Sequence, residues 1–217
     1  MDPASHRWVA LDIGGANIKI AHEGRRALNV PFEVWKRPDE LGRTISAAVA
    51  TLPPSDHAAV TMTAELCDCF PTKRVGVNAV LDSVLGALPQ HTIMVWGVDC
   101  EFHRIADIRQ QPLLAAAANW LALATLAARL IPESRGVLID VGSTTTDLVP
   151  LDRGTVAARG RSDTERLQLG ELVYAGTRRT PVCALATELT FRGVPTGLAA
   201  EIFASTLDVY LTLGDIP

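Results

Sequence analysis

The stretch VALDIGGANIKI, residues 9–20, decides how the chain is read. Val9, Ala10 and Leu11 close an apolar run that meets Asp12, and two glycines then break it. Gly14 and Gly15 permit a turn with positive φ or a close backbone approach. Ile18 and Ile20 alternate around Lys19, as the return strand of a hairpin does. The reading is a β-hairpin with an acid at its entrance and bare backbone N–H groups at its tip. Many structural hairpins share that pattern, so one copy says little.

A second copy exists. Residues 137–148 read VLIDVGSTTTDL. Laid over the first stretch, Asp12 meets Asp140, Gly14 meets Gly142, Gly15 meets Ser143, Asn17 meets Thr145 and Ile20 meets Leu148. A repeat at this separation is too long for a solenoid and suits two related domains. It predicts two loops facing each other across a cleft.

The chain has 217 residues, enough for one large domain or two small ones with a substantial core. An apolar fraction of 48% with 20% charged residues is that of a globular protein. A formal charge of −4 argues against a nucleic-acid partner and against binding anionic lipid. Met1 to Arg7 is polar, which predicts no secretory leader and a cytoplasmic location. The longest apolar stretch, residues 112–131, is dominated by Ala and interrupted by Asn119 and Arg129. It reads as a buried helix started by Pro112 and stopped by Pro132, not as a membrane span. Cys67, Cys69, Cys100 and Cys183 show no metal-ligand spacing and read as reduced thiols. The five histidines, at 6, 22, 57, 91 and 103, show none either.

Along the chain, residues 7–13, 17–22 and 27–35 read as three strands, 39–52 as a helix and 57–65 as a strand. A helix over 72–88, with Thr72 as its N-cap, and a strand over 92–100 follow. Residues 136–142, 146–152 and 155–159 repeat the opening three-strand theme. Ser162 and Glu165 form a capping box before a helix closed near Gly176, and a last helix lies within 196–214. The architecture is α/β in two related domains, 1–132 and 133–217. The second is the shorter, and is expected to be incomplete at its C-terminal end.

Paired Asp-x-Gly hairpins make a phosphate site for a physical reason. Successive N–H groups at a glycine turn form an anion-binding concavity, and the hydroxyls of Ser143, Thr144 and Thr145 add donors. Asp12 and Asp140 would repel phosphate unless a cation intervened, and Mg²⁺ held through water is the economical solution. Asn17 and Lys19 add a hydrogen bond and a positive charge at the first loop. The competing reading is that the two acids cap turns and the threonines fill a pleated surface.

These paired motifs resemble the two phosphate loops of the actin, sugar-kinase and Hsp70-type ATPase fold, whose two domains are ribonuclease-H-like. By that resemblance Asp12, Gly14, Gly15, Asn17 and Lys19 belong to the first loop. Asp140, Gly142, Ser143, Thr144, Thr145 and Asp147 belong to the second. TMTAELCDCFPTKRVGV (61–77), AAAANWLALA (115–124), YAGTRRTPVCAL (174–185) and EIFASTLDVYLTLGDIP (201–217) narrow the likeness. They resemble the hydantoinase/oxoprolinase-related proteins of the tetrahydromethanopterin-linked one-carbon pathway, with the methanofuran-biosynthesis members nearest. The resemblance implies a transferase. An aminomethylfuran-methyl diphosphate would meet the phenol of a γ-glutamylated tyramine, or a tyrosine-derived equivalent, and lose pyrophosphate with Mg²⁺ at the leaving group. ATP is not required by that reaction. The alternatives are an ATP-dependent small-molecule kinase and a non-catalytic nucleotide-binding regulatory subunit. A homo-oligomer is compatible with each. Family members continue past the LGDIP position into a Thr-Ala-Asp-Gly-type segment, which this sequence does not show.

Outside the loops, Glu65 and Asp68 follow a strand, where open α/β sheets place ligands. They could serve as the general base or as metal ligands, with Lys73 on the diphosphate. Their alternative is a polar loop ahead of a capped helix. Asn119 could face the cleft or satisfy a loop carbonyl. Arg178, Arg179 and Thr180 could reach an anionic substrate group, and solvent exposure accounts for Arg178 equally well.

Overall fold

The computed structural model describes residues 7–23 and 26–216; the polar opening, His6 and Pro217 lie outside them. The chain is α/β and separates into two compact units, Met1–Thr125 and Leu126–Pro217.

In the first unit the duplicated motif begins the sheet. Strands β1 (Trp8–Ile13), β2 (Asn17–His22) and β3 (Arg26–Pro31) run antiparallel, and β4 (His57–Met62) and β5 (Thr92–Trp96) add in parallel on the other side of β1. With the short β6 (Phe102–Arg104) at the edge, the order is β3-β2-β1-β4-β5-β6, in keeping with the ribonuclease-H-like domain that the resemblance implies. Strand alternation chooses the core. Val9, Leu11 and Ile13 point to one face, with Ile18 and Ile20 beside them and Ala58, Val60 and Met62 on β4. Two helices cover that face: α1 (Leu41–Val49) brings Leu41 and Ile45, and α2 (Lys73–Ala87) brings Val77, Val80, Leu81 and Val84. Thr72 caps α2 as predicted, its Oγ1 accepting the Val75 N–H at 3.2 Å. Gly76 lets α2 approach, because a Cβ there would sit 2.5 Å from the Glu65 carbonyl oxygen.

Several boundaries differ from the sequence reading. β3 stops at Pro31, because Phe32 and Val34 give their N–H groups to Ala16 and Gly15 instead of a strand. β4 and β5 end at Met62 and Trp96, short of 65 and 100. A short helix α3 (Ile105–Gln110) was not foreseen. The alanine-rich helix is broken: Pro112–Leu114 is a 3-10 turn, Ala117 has φ +50°, and α4 begins only at Asn119 and runs to Arg129.

The second unit carries the repeat as β7 (Arg135–Val141) and β8 (Thr146–Asp152), antiparallel along their length. The two-residue strands β9 (Thr155–Val156) and β10 (Leu172–Val173) both pair with β8, so β7 stands at the sheet edge. α5 (Asp163–Leu169) has the expected capping box but ends at Gly170 (φ +70°), well before Gly176. α6 (Val182–Leu185) and an unforeseen hairpin, β11 (Glu188–Phe191) with β12 (Val194–Gly197), lead to α7 (Thr206–Leu213).

Candidate functional site

The two hairpin tips share one geometry. Gly14 N–H donates to the Asn17 carbonyl at 2.9 Å, and Gly142 N–H donates to the Thr145 carbonyl at 2.8 Å. A Cβ on either glycine would lie 3.0 or 3.1 Å from that same carbonyl oxygen. The tight turn therefore selects glycine at both positions. Across each ladder the motif acid faces a charged residue: Asp12 is in register with Lys19, and Asp140 with Asp147.

At the first tip, Lys19 Nζ lies 3.3 Å from Asp12 Oδ2, while Asp12 Oδ1 is buried with no hydrogen-bond partner. The segment after β4 props the loop from below. Thr63 N–H donates to the Ile13 carbonyl at 2.9 Å, and a Cβ on Gly15 would lie 2.9 Å from Cys67 Sγ. The Ala-Glu-Leu-Cys block is thus the seat of the first loop. Burial raises the pKa of the neighbouring Cys69, which keeps its thiol protonated.

A cavity of about 640 Å³ opens on the face of this sheet away from the core. Asp12, Lys19, Thr61, Trp96 and Phe102 line it over a floor of alanines. Trp96 and Phe102 meet edge to face with centroids 4.9 Å apart. Thr61 Oγ1 and Trp96 Nε1 are, like Asp12 Oδ1, buried without hydrogen-bond partners. The three residues that carry these atoms all line the cavity.

At the second tip, residues 175–180 fold onto the loop. Thr177 N–H donates to the Gly142 carbonyl at 3.0 Å, and the Arg178 and Arg179 N–H groups donate to the Ser143 carbonyl at 3.1 and 2.9 Å. Gly176 makes this contact feasible, because a Cβ there would stand 2.5 Å from Thr144 N. Thr180 Oγ1 accepts the Gly176 N–H at 2.7 Å and fastens the segment. Both arginine side chains remain exposed beside the loop, with Ser143, Thr144 and Thr145 half-buried. Behind the loop, Arg166 reaches Asp147 at 2.8 Å. Burial pushes the Asp147 pKa up, Arg166 opposes it, and Asp140 and Asp163 add to it.

The remaining sequence candidates fall elsewhere. Glu65, 1% exposed, accepts the Ala117 N–H at 2.7 Å and so holds the turn that precedes α4. Asp68 and Lys73 are exposed, Lys73 on the first turn of α2. Asn119 opens α4 with its own Oδ1 accepting the Trp120 N–H at 2.8 Å. Among the described residues, no group of three or more His, Cys, Asp or Glu side chains could hold a metal ion. Sequence reasoning missed Arg166, whose partner is set by α5 packing, and Gly176, whose role shows only when the loop beneath it is seen. The cavity's Trp96 and Thr61 were missed too; the alternation of β4 and β5, which turns them to the face opposite the core, was the available signal.

The fold and the duplicated tips define an α/β protein with two matching glycine turns. The chain belongs to the hydantoinase/oxoprolinase family, whose model matches residues 56–217. It is 38% identical over 211 residues, 96% of its length, to the (4-{4-[2-(gamma-L-glutamylamino)ethyl]phenoxymethyl}furan-2-yl)methanamine synthase of Methanocaldococcus jannaschii. It is 42% identical over 80 residues, 37% of its length, to the synthase of the same name from Methanococcus vannielii. The chain spans 62% of the first relative and 36% of the second. Among solved structures it is similar to the ethanolamine utilization protein EutJ from Carboxydothermus hydrogenoformans, with TM-score 0.42, 19% identity and coverage of 72% of this chain and 51% of that one. It is also similar to MreB5 of Spiroplasma citri, with TM-score 0.41, 14% identity and coverage of 81% and 54%. No helix among the described residues is long and apolar enough to cross a membrane.

Proposed function

We propose that the chain handles the diphosphate in a transferase that joins an aminomethylfuran-methyl diphosphate to the phenol of γ-glutamyltyramine. The observation that carries this reading is the identity, along nearly the whole chain, with a synthase whose name spells out a phenoxymethyl-furan ether. The geometry is compatible with that chemistry. In the reaction the phenol oxygen bonds the furan methylene carbon, and the carbon–oxygen bond to diphosphate breaks with its electron pair leaving on pyrophosphate. The phenol proton passes to a base.

The first tip offers backbone N–H groups at Gly15 and Ala16, with Lys19 and Asn17 beside them. The second offers the hydroxyls of Ser143, Thr144 and Thr145, with Arg179 on the clamped segment as a cation for the anionic substrate. Donors of either kind stabilise negative charge on a phosphate group. The cavity beside Asp12 accommodates an aryl ring over its alanine floor, with Trp96 at one wall. Asp12, which lines that cavity and pairs with Lys19, is the carboxylate we assign to accept a proton from a bound hydroxyl or to hold a metal-bound water.

The donor set also bears on Mg²⁺. With no cluster of three His, Cys, Asp or Glu ligands among the described residues, a divalent ion would be held by Asp12 or Asp140 through water and by the substrate phosphates. When bound, it supplies charge neutralisation of the departing diphosphate.

The test is pyrophosphate release with the aminomethylfuran diphosphate and γ-glutamyltyramine, with Mg²⁺ and with EDTA, and in parallel with ATP. Release that depends on the phenol and disappears in EDTA supports the reading. ATP consumption or binding without acceptor-dependent release overturns it in favour of a kinase or regulatory role.

A further inference from the structure

We propose that the hydrogen bond between Ser55 and His91 is a proton-sensitive latch at the foot of the first sheet, opened by a proton taken up on His91. The latch lies away from both hairpin tips and takes no part in the reaction proposed above.

The topology brings its residues together. β1, β4 and β5 are parallel neighbours, so Arg7 and Trp8, Asp56 and His57, and His91 and Thr92 all stand where those strands begin. The first hairpin tip lies at the opposite end of β1. A short series of bonds ties the strand beginnings. Asp56 Oδ1 accepts the Arg7 N–H at 2.9 Å and meets His57 Nδ1 at 2.7 Å. The Asp56 carbonyl accepts the Thr92 N–H at 2.9 Å. Ser55 Oγ and His91 Nε2 hydrogen-bond at 3.0 Å, although 36 residues separate them in sequence. His91 is fixed in the turn after α2, where its own N–H donates to the Leu88 carbonyl at 3.1 Å. The Ser55–His91 pair thus joins the Pro-Pro loop ahead of β4 to the turn ahead of β5.

Neutral and charged His91 do not fit this place equally. Nδ1 is buried and, among the described residues, has no hydrogen-bond partner. A neutral ring with its proton on Nε2 gives that proton to Ser55 and keeps a lone pair on Nδ1. The imidazolium carries an N–H on Nδ1 as well, and a buried charged donor without an acceptor is costly until it reaches water. Burial accordingly pushes the His91 pKa down, Asp56 acts against this, and His57 in its charged form adds to it. Asp56 is shared: the hydrogen bond from His57 holds its own pKa down, with Arg7 contributing. His91 therefore contributes stability that is present above the unfolded-state value and lost as pH falls through the folded-state midpoint. Opening the Ser55–His91 bond delivers Nδ1 to water, so acid favours the open form.

The test is amide exchange of the full chain by NMR, corrected for intrinsic rates, at about pH 7.5 and about pH 5.5, either side of the ordinary histidine value. The His91 and Thr92 amides are expected to lose about tenfold in protection at the lower pH, the factor by which one unit below that value favours a protonated open form. Val80 and Leu81 of α2 should keep theirs. His91→Gln, which retains a side-chain amide for Ser55 but does not titrate, should abolish the pH dependence, and His57→Gln should retain it. In the unsubstituted chain the His91 ring nitrogens should titrate below an ordinary histidine, a measurement that needs no variant to fold. Equal protection at both pH values, a loss shared by Val80 and Leu81, or a His91 ring that titrates at or above the ordinary value each overturn the proposal. So does a pH dependence that persists in His91→Gln or disappears in His57→Gln.

Discussion

Arg166 Nη1 lies 2.8 Å from Asp147 Oδ1, and the arginine side chain is 2% exposed. This pair stands where the first hairpin has Lys19 opposite Asp12, so the two halves of the repeat solve the same electrostatic problem differently. In the first, a solvent-exposed lysine on the adjacent strand answers the acid. In the second, two acids face each other across the ladder and a buried arginine from α5 answers one of them. Its Nη2 also donates to the Glu171 carbonyl at 2.8 Å, tying α5 to the strand behind the loop.

Removing one partner of this buried pair should be costly. Arg166→Met is expected to destabilise the second unit by on the order of 3 kcal/mol, read from denaturant unfolding. It should also drive the Asp147 midpoint higher, because Arg166 is the group that holds it down. The wild-type midpoint already lies above the ordinary Asp value. Asp147 therefore contributes stability that is complete below the unfolded-state value and is lost as pH rises through the folded-state midpoint. An Asp147 carboxyl signal that titrates at or below the ordinary value contradicts this.

Gly15 and Cys67 should show strong coupling. Gly15→Ala places a Cβ 2.9 Å from Cys67 Sγ and is expected to impair the first loop and pyrophosphate release. Cys67→Ala frees that space, so the double variant should recover a large part of the activity. Additive losses in the double-mutant cycle would mean that the loop does not rest on this thiol.

Asp12→Asn separates chemistry from folding. The substitution removes an ion pair to the exposed Lys19, which is worth little, so stability should change by less than about 1 kcal/mol. The kcat/KM for the diphosphate substrate should fall about 100-fold, the scale for losing one electrostatic or acid–base group. Unchanged kinetics and metal dependence would remove Asp12 from the reaction.

Glu65 should behave in the opposite manner. Glu65→Ala leaves the Ala117 N–H without its acceptor in a buried turn and is expected to cost about 1–3 kcal/mol. Glu65→Gln retains an acceptor oxygen and should restore much of that stability. If Gln folds normally yet abolishes turnover, the residue acts in catalysis.

The α5 capping box supplies a pH signature. Glu165 accepts the Arg161 and Ser162 N–H groups at 2.8 and 3.0 Å, and these bonds lower its pKa. Its contribution is present above the unfolded-state value and is lost as pH falls through the lower folded-state midpoint. An NMR titration should place Glu165 below an ordinary glutamate, and Ser162→Ala should move it only part of the way back up, because both backbone donors remain.

The local grammar of the chain was legible without coordinates. Alternation marked β1 and β2, a Thr ahead of an apolar run marked the cap of α2, and Ser162 with Glu165 marked the start of α5. The duplicated Asp-x-Gly turn was legible too, and both copies close with the same glycine N–H bond. These features depend on residues within a few positions of one another, so sequence spacing carries their physics. The broken alanine-rich helix was not legible, because its start is set by a turn at Ala117 held by Glu65, 52 residues away. The same holds for Glu65 itself, for Arg166 and for Gly176, whose neighbours arrive from other elements. By itself the sequence determined β1 and β2, the caps of α2 and α5, and the two glycine tips. Only the tertiary structure decided which polar groups are buried and what they face, because burial and long-range contact are set by packing rather than by spacing.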